Sequence, residues 1–135
     1  KHGGPLAPKD TVEDAQMMQW ALYGMTAIEP AALKAMYIVA EGRADTAEGK
    51  AELAQLTADL HRPLKALDTH LAGAGGQMVG RRFTVADINM AEIVRYAAAH
   101  PATLVDFDAV RAWLAACQDR PGFKEMWAKR SAEPA

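Results

Sequence analysis

Leu53, Leu56, Leu60, Leu64, Leu67 and Leu71 follow one another at intervals of 3, 4, 4, 3 and 4 residues. Only an α-helix turns at that rate, so the spacing predicts one long helix over about Thr46–Ala72 with a continuous apolar stripe. A helix of that length runs roughly 40 Å at 1.5 Å per residue, about the width of a small domain. Pro63 lies inside the stripe and predicts a bend rather than a break. A stripe that long must be covered along its whole length, and a chain of 135 residues can do so only by wrapping other helices against it.

The remainder reads as helix too. No β-branched run alternates with polar residues, and no Asn-Gly or Asp-Gly hairpin occurs. Gly3–Pro5, Gly42, the connector Gly73–Gly80, Pro101 and Pro121 divide the chain. A first helix is capped by Asp10, with Glu13 in the capping-box position, and runs to Ile28. Pro30 should kink or interrupt it before Ala31–Val39 resumes. A third helix, about Val85–Ala99, is apolar nearly all round and is expected at the centre. A fourth, Phe107–Gln118, presents Val110, Trp113, Leu114 and Cys117 on one face, and a short fifth opens at Pro121 with Phe123, Met126 and Trp127. The expected architecture is an all-α bundle over residues 10–130, after an end-of-element turn and linker at 1–9 and before a tail at 131–135. Lys1-His2-Gly3-Gly4 reads as a helix C-terminus, cations followed by glycine, and so as the end of a preceding element.

The sharpest local signal is Phe83-Thr84-Val85-Ala86-Asp87-Ile88. Thr84 can cap the third helix while the Asp87 carboxylate reaches back to the Thr84 N–H, and Phe83 and Ile88 are placed to form a hydrophobic staple. These four residues are therefore read as structural.

Chemistry of other kinds finds little support. The net charge of −2 and the small Arg81-Arg82 cluster argue against nucleic acid or an anionic membrane as partner. The single cysteine suits a reducing, cytoplasmic setting, and on its apolar stripe Cys117 reads as a buried inert thiol. His2, His61, His70 and His100 lack metal-ligand spacing, so no metal site is expected. Neither a Gly-x-Ser-x-Gly elbow nor a phosphate-cradling glycine loop is present. The first helix alone invites more. Met17, Trp20 and Ile28 occupy one face, Met18, Leu22 and Met25 another, and Tyr23 a third. Such a helix meets more than one apolar surface: core, a further domain, a second subunit or a ligand.

Val79-Gly80-Arg81-Arg82-Phe83-Thr84-Val85-Ala86-Asp87-Ile88 resembles the cap-and-staple signature of the C-terminal, helical domain of cytosolic glutathione S-transferases. Leu64, Leu67-Asp68 and Leu71 upstream, and Val110, Trp113 and Arg120-Pro121-Gly122-Phe123 downstream, match that domain in order. Leu6-Ala7-Pro8-Lys9-Asp10 and Gln19-Trp20 through Glu29-Pro30 resemble the linker and first helix of bacterial members. The resemblance implies an N-terminal thioredoxin-like domain ahead of Lys1 that binds glutathione and carries the catalytic Tyr, Ser or Cys. This chain would then hold no catalytic residue and bind no cofactor itself. It would supply homodimer contacts and the apolar wall for a small hydrophobic electrophile. The family places that wall on the first helix. Tyr23 leads as candidate because a phenol offers an apolar face and a hydroxyl, and helical spacing aligns Thr26, Ala27 and Pro30 with it. Met17, Trp20 and Gly24 form a second choice, with packing as their rival role. The alternative is a non-catalytic interaction or assembly module, as in the transferase-like domains attached to some tRNA synthetases and elongation factors.

Overall fold

A computed structural model describes residues 3–133. Lys1 and His2, half of the expected end-of-element turn, and Pro134 and Ala135 of the tail lie outside them. The elements are α1 (Thr11–Tyr23), a π-helical turn (Gly24–Ile28), α2 (Glu29–Ala40), α3 (Ala47–Gly73), α4 (Val85–Ala98), a 3₁₀ turn (Pro101–Leu104), α5 (Asp108–Gln118) and α6 (Pro121–Ser131). There is no strand among the described residues, only an isolated bridge between Val79 and Arg82.

α1, the π turn and α2 form one continuous helical rod, and its irregularity precedes the proline. Pro30 sits in the first turn of α2, and the Glu29 N–H donates to the Gly24 carbonyl five residues back. In an unbroken α-helix the Pro30 ring would collide with the Thr26 carbonyl and leave it without a donor. Widening the preceding turn removes that conflict. Thr26 meanwhile donates its hydroxyl to the Leu22 carbonyl at 2.7 Å. The kink or interruption expected at Pro30 thus takes the form of a π turn just before it.

α3 runs through Pro63 as one 27-residue helix. Its six stripe leucines are all buried and serve two clusters. Leu60, Leu64, Leu67 and Leu71 join α4 and α5 in the main core, while Leu53 and Leu56 meet Ala35 and Ile38 of α2 in a smaller one. α4 packs against α1, α2 and α5 at the centre of the bundle, burying Ala86, Met90, Ile93, Val94 and Ala97. It is not covered on every side, because Val85 and Ile88 remain exposed. Phe107, expected inside the fourth helix, is instead the buried residue before α5. That helix is capped from outside: the Asp68 carboxylate of α3 accepts from the N–H groups of Ala109 and Val110 at 2.9 and 3.2 Å. α6 buries no residue; Phe123 and Trp127 stack on each other, centroids 5.9 Å apart.

The linker is latched to the bundle. Leu6 accepts from the Val85 N–H at 3.1 Å, and Arg82 bridges the Ala7 carbonyl and the Glu13 carboxylate at 2.7 and 2.8 Å. Hydrogen bonding from the Lys9 N–H, then Arg82, holds the Glu13 carboxyl below its ordinary value. A depressed carboxylate lends its stability above the unfolded value and loses it as pH falls, so this latch is closed at neutral pH and loosens in acid.

Candidate functional site

The capping box at the start of α4 is the most heavily bonded point in the molecule. Asp87 is fully buried, and its Oδ2 accepts from the Thr84 N–H (2.8 Å) and hydroxyl (3.1 Å). Its Oδ1 accepts from the Met78 N–H and the Trp113 indole N–H, each at 3.0 Å. Thr84 Oγ1 in turn accepts from the Ala86 N–H at 3.3 Å. Every strong lone pair of this carboxylate is engaged in structure, which leaves it nothing to offer a substrate. Phe83 and Ile88, the expected staple, line one groove, with the Arg120 guanidinium 3.7 Å above the Phe83 ring.

The side chains of the rod divide by face. Met17, Gly24 and Ile28 are buried, and Trp20 and Tyr23 are half-buried against the main core. Gly24 marks the closest approach to α4: a Cβ there would lie 2.8 Å from Ile93 Cδ1. The Tyr23 hydroxyl donates to the Pro63 carbonyl at 3.2 Å, so the ring turns toward α3, and burial pushes its pKa up against the opposing charge of Arg62. Thr26, Ala27 and Pro30 are exposed. The four residues aligned by regular helical spacing are therefore split, since an i→i+5 turn between them rotates the later three away from Tyr23. Pro63, which has no N–H to give α3, presents its carbonyl to the Tyr23 hydroxyl.

Met18, Leu22 and Met25 are 61%, 54% and 56% exposed and form a stripe along the outer face. Met25 lines a groove of about 520 Å³ between the rod and α4, with Ile88, Ile93 and Tyr96. Ile88 and Glu92 are shared with a second groove of about 500 Å³, walled by Leu6, Phe83, Cys117, Phe123 and Met126. The two make one apolar face across α4. Arg95 closes an end of it, paired with Glu92 and lying 4.9 Å from the centroids of both Tyr96 and Trp127. Nothing in the local sequence brings Leu6, Phe123 and Met126 to one face, because the linker and α6 meet α4 there only through the fold.

Burial, with the nearby Asp87 charge, pushes the Cys117 thiol up to about 12. The native thiol is thus expected to resist iodoacetamide at pH 8 and to react once urea unfolds the chain; rapid native alkylation would contradict this placement. His61 packs on Phe107, and His70 Nε2 lies 2.8 Å from the Met78 carbonyl oxygen. No group of three metal-ligating side chains comes together among the described residues.

Comparison with known proteins places this geometry. The family described as glutathione S-transferase, C-terminal domain, matches residues 14–121. The fold is similar to a crystal structure of a glutathione S-transferase from Xanthobacter autotrophicus Py2, with TM-score 0.75 and 25% identity, over 90% of this chain and 58% of that one. It is also similar to a possible glutathione S-transferase from Rhodopseudomonas palustris, with TM-score 0.73 and 25% identity, over 90% and 55% of the respective chains. No curated protein matches the sequence. This chain spans less than two thirds of either of those structures. With the family covering most of its length, from the first turns of α1 through α5, the chain belongs to the glutathione S-transferases as their C-terminal, helical domain.

Proposed function

We propose that this chain is the helical half of a glutathione-conjugating enzyme, completed by a thioredoxin-like domain that binds glutathione and carries the catalytic residue. The observation that carries this reading is the apolar face across α4. Leu6, Ile88 and Met25 stay exposed there and line two grooves that share Ile88 and Glu92. Apolar surface left together in this way belongs to a contact. The linker residue Leu6 is pinned at its edge, where a preceding domain would arrive.

In this reading the π turn forms the electrophile wall. Thr26, Ala27 and Pro30 offer it a surface with little polarity, since the Thr26 hydroxyl is spent on Leu22. Tyr23 ties the rod to α3 through its bond to Pro63, and Met17, Trp20 and Gly24 hold the rod against the core. The chain's own residues thus position an apolar molecule and exclude water from it, while thiolate formation belongs to the other domain. The outer stripe of Met18, Leu22 and Met25 is adaptable surface suited to a partner, a second copy in a homodimer among them.

The test joins this chain to the thioredoxin-like domain proposed to complete it and changes Ala27 to Phe, an exposed position that tolerates bulk. The KM for a model electrophile should rise by about tenfold, equivalent to ~1.4 kcal/mol, with the KM for glutathione unmoved. A change in glutathione kinetics alone would put the wall elsewhere.

A further inference from the structure

The loop between α3 and α4 carries a conformation that a different residue would adopt more easily. Val79 and Arg82 form the antiparallel bridge, and the two residues between them both have positive φ, +68° at Gly80 and +51° at Arg81. A two-residue reversal of this hand requires positive φ at both positions, which favours glycine and asparagine. Gly80 meets that demand freely; Arg81 is the sole non-glycine residue described with positive φ and is strained there. Its neighbour Arg82 is consumed by Glu13 and Ala7. Arg81 is exposed, and among the described residues no ion pair or hydrogen bond engages its guanidinium.

Gly80 and Arg81 form one rim of a groove of about 350 Å³, faced by Gln16, Gln19 and Trp20 of α1 and by His70 of α3. No carboxylate is among its lining residues, and Glu13, whose carboxylate lies against Gly80, is paired with Arg82. Its aromatic wall is held in place: Trp20 meets Tyr23 edge-on at 5.4 Å and His70 at 4.4 Å. His70 is in turn bonded to the Met78 carbonyl, and the Met78 N–H to Asp87. The groove therefore sets an unpaired positive charge and two carboxamides beside a rigid indole. A guanidinium fork is complementary to a carboxylate, and an indole offers a flat apolar surface next to it.

We propose that this groove binds a small aromatic carboxylate, its anionic end on Arg81 and the Gln16 and Gln19 amides, its ring against Trp20. The site shares no lining residue with the apolar face across α4 and is independent of the function proposed for that face.

The experiment titrates 1-naphthoate into the ¹⁵N-labelled chain and follows backbone amide shifts. Saturable shifts are expected at Gln16, Gln19, Gly80 and Arg81 with a dissociation constant of about 1 mM, the strength one charge-assisted contact in an open groove supports. Arg81→Gly and Arg81→Asn both tolerate positive φ, so each should leave the melting temperature undiminished while weakening binding by about fivefold or more. The neutral analogue 1-naphthalenemethanol should bind correspondingly less well. Absence of saturable shifts at about 10 mM, affinity unchanged from wild type in both Arg81 variants, or shifts confined to Leu6, Phe83 and Ile88 would each overturn the proposal.

Discussion

Replacing Asp87 by alanine is expected to destabilise the chain by at least about 3 kcal/mol, the largest effect of any single polar substitution in it. The cap contact alone accounts for about 1 kcal/mol of this. The rest follows from burial: the change strands the N–H groups of Met78 and Thr84 and the Trp113 indole N–H where water does not reach. Each unsatisfied buried donor costs on the order of 1–3 kcal/mol. Asp87→Asn should fall between alanine and wild type, since its amide nitrogen would face donors on one side but its oxygen would still accept on the other. Urea titration checks both; a midpoint for Asp87→Ala within error of wild type would remove this carboxylate from the centre of the account.

The second large effect is expected at a residue that looks like an easy stabilising change. Gly49 lies in the first turn of α3, where alanine is ordinarily the better helix former by up to about 1 kcal/mol. Here a Cβ would fall 2.0 Å from the Arg43 carbonyl oxygen, a backbone atom that has no rotamer to escape into. That oxygen accepts from the Thr46 hydroxyl and N–H, and Thr46 Oγ1 accepts from the Gly49 N–H, so the turn cannot open without losing the cap. Gly49→Ala should therefore cost about 2–3 kcal/mol, the sum of an overpacking penalty and a lost N-cap. An unchanged or raised melting temperature would mean that this turn is far more compliant than its bonds imply.

The helices were legible because each carries its own signal. The leucine intervals place α3, Thr84 and Asp87 start α4, and Asp10, accepting from the Glu13 N–H at 2.8 Å, starts α1. What the sequence did not disclose depends on contacts between elements distant along the chain. Asp68 caps α5 across 41 residues, and nothing in its local sequence says so. Gly49 is dictated by a loop turn folded back on it, and the π turn shows in sequence only as an unresolved conflict at Pro30. The candidate wall meets that conflict directly: regular helix would align Tyr23 with Thr26, Ala27 and Pro30, and the π turn between them rotates the later three away. The apolar face was half legible. Met25 belongs to a stripe that the spacing of Met18, Leu22 and Met25 announces, whereas the Leu6 and Ile88 side of the face requires the linker to be laid against α4.

Whether this chain is one half of a conjugating enzyme is tested most directly by calorimetric titration with glutathione of two proteins, the 135-residue chain and the same chain joined to the thioredoxin-like domain proposed to complete it. The account predicts no binding heat from the chain alone up to about 1 mM glutathione, and saturable binding by the joined protein. Micromolar affinity in the isolated chain, or none in the joined protein, would contradict it.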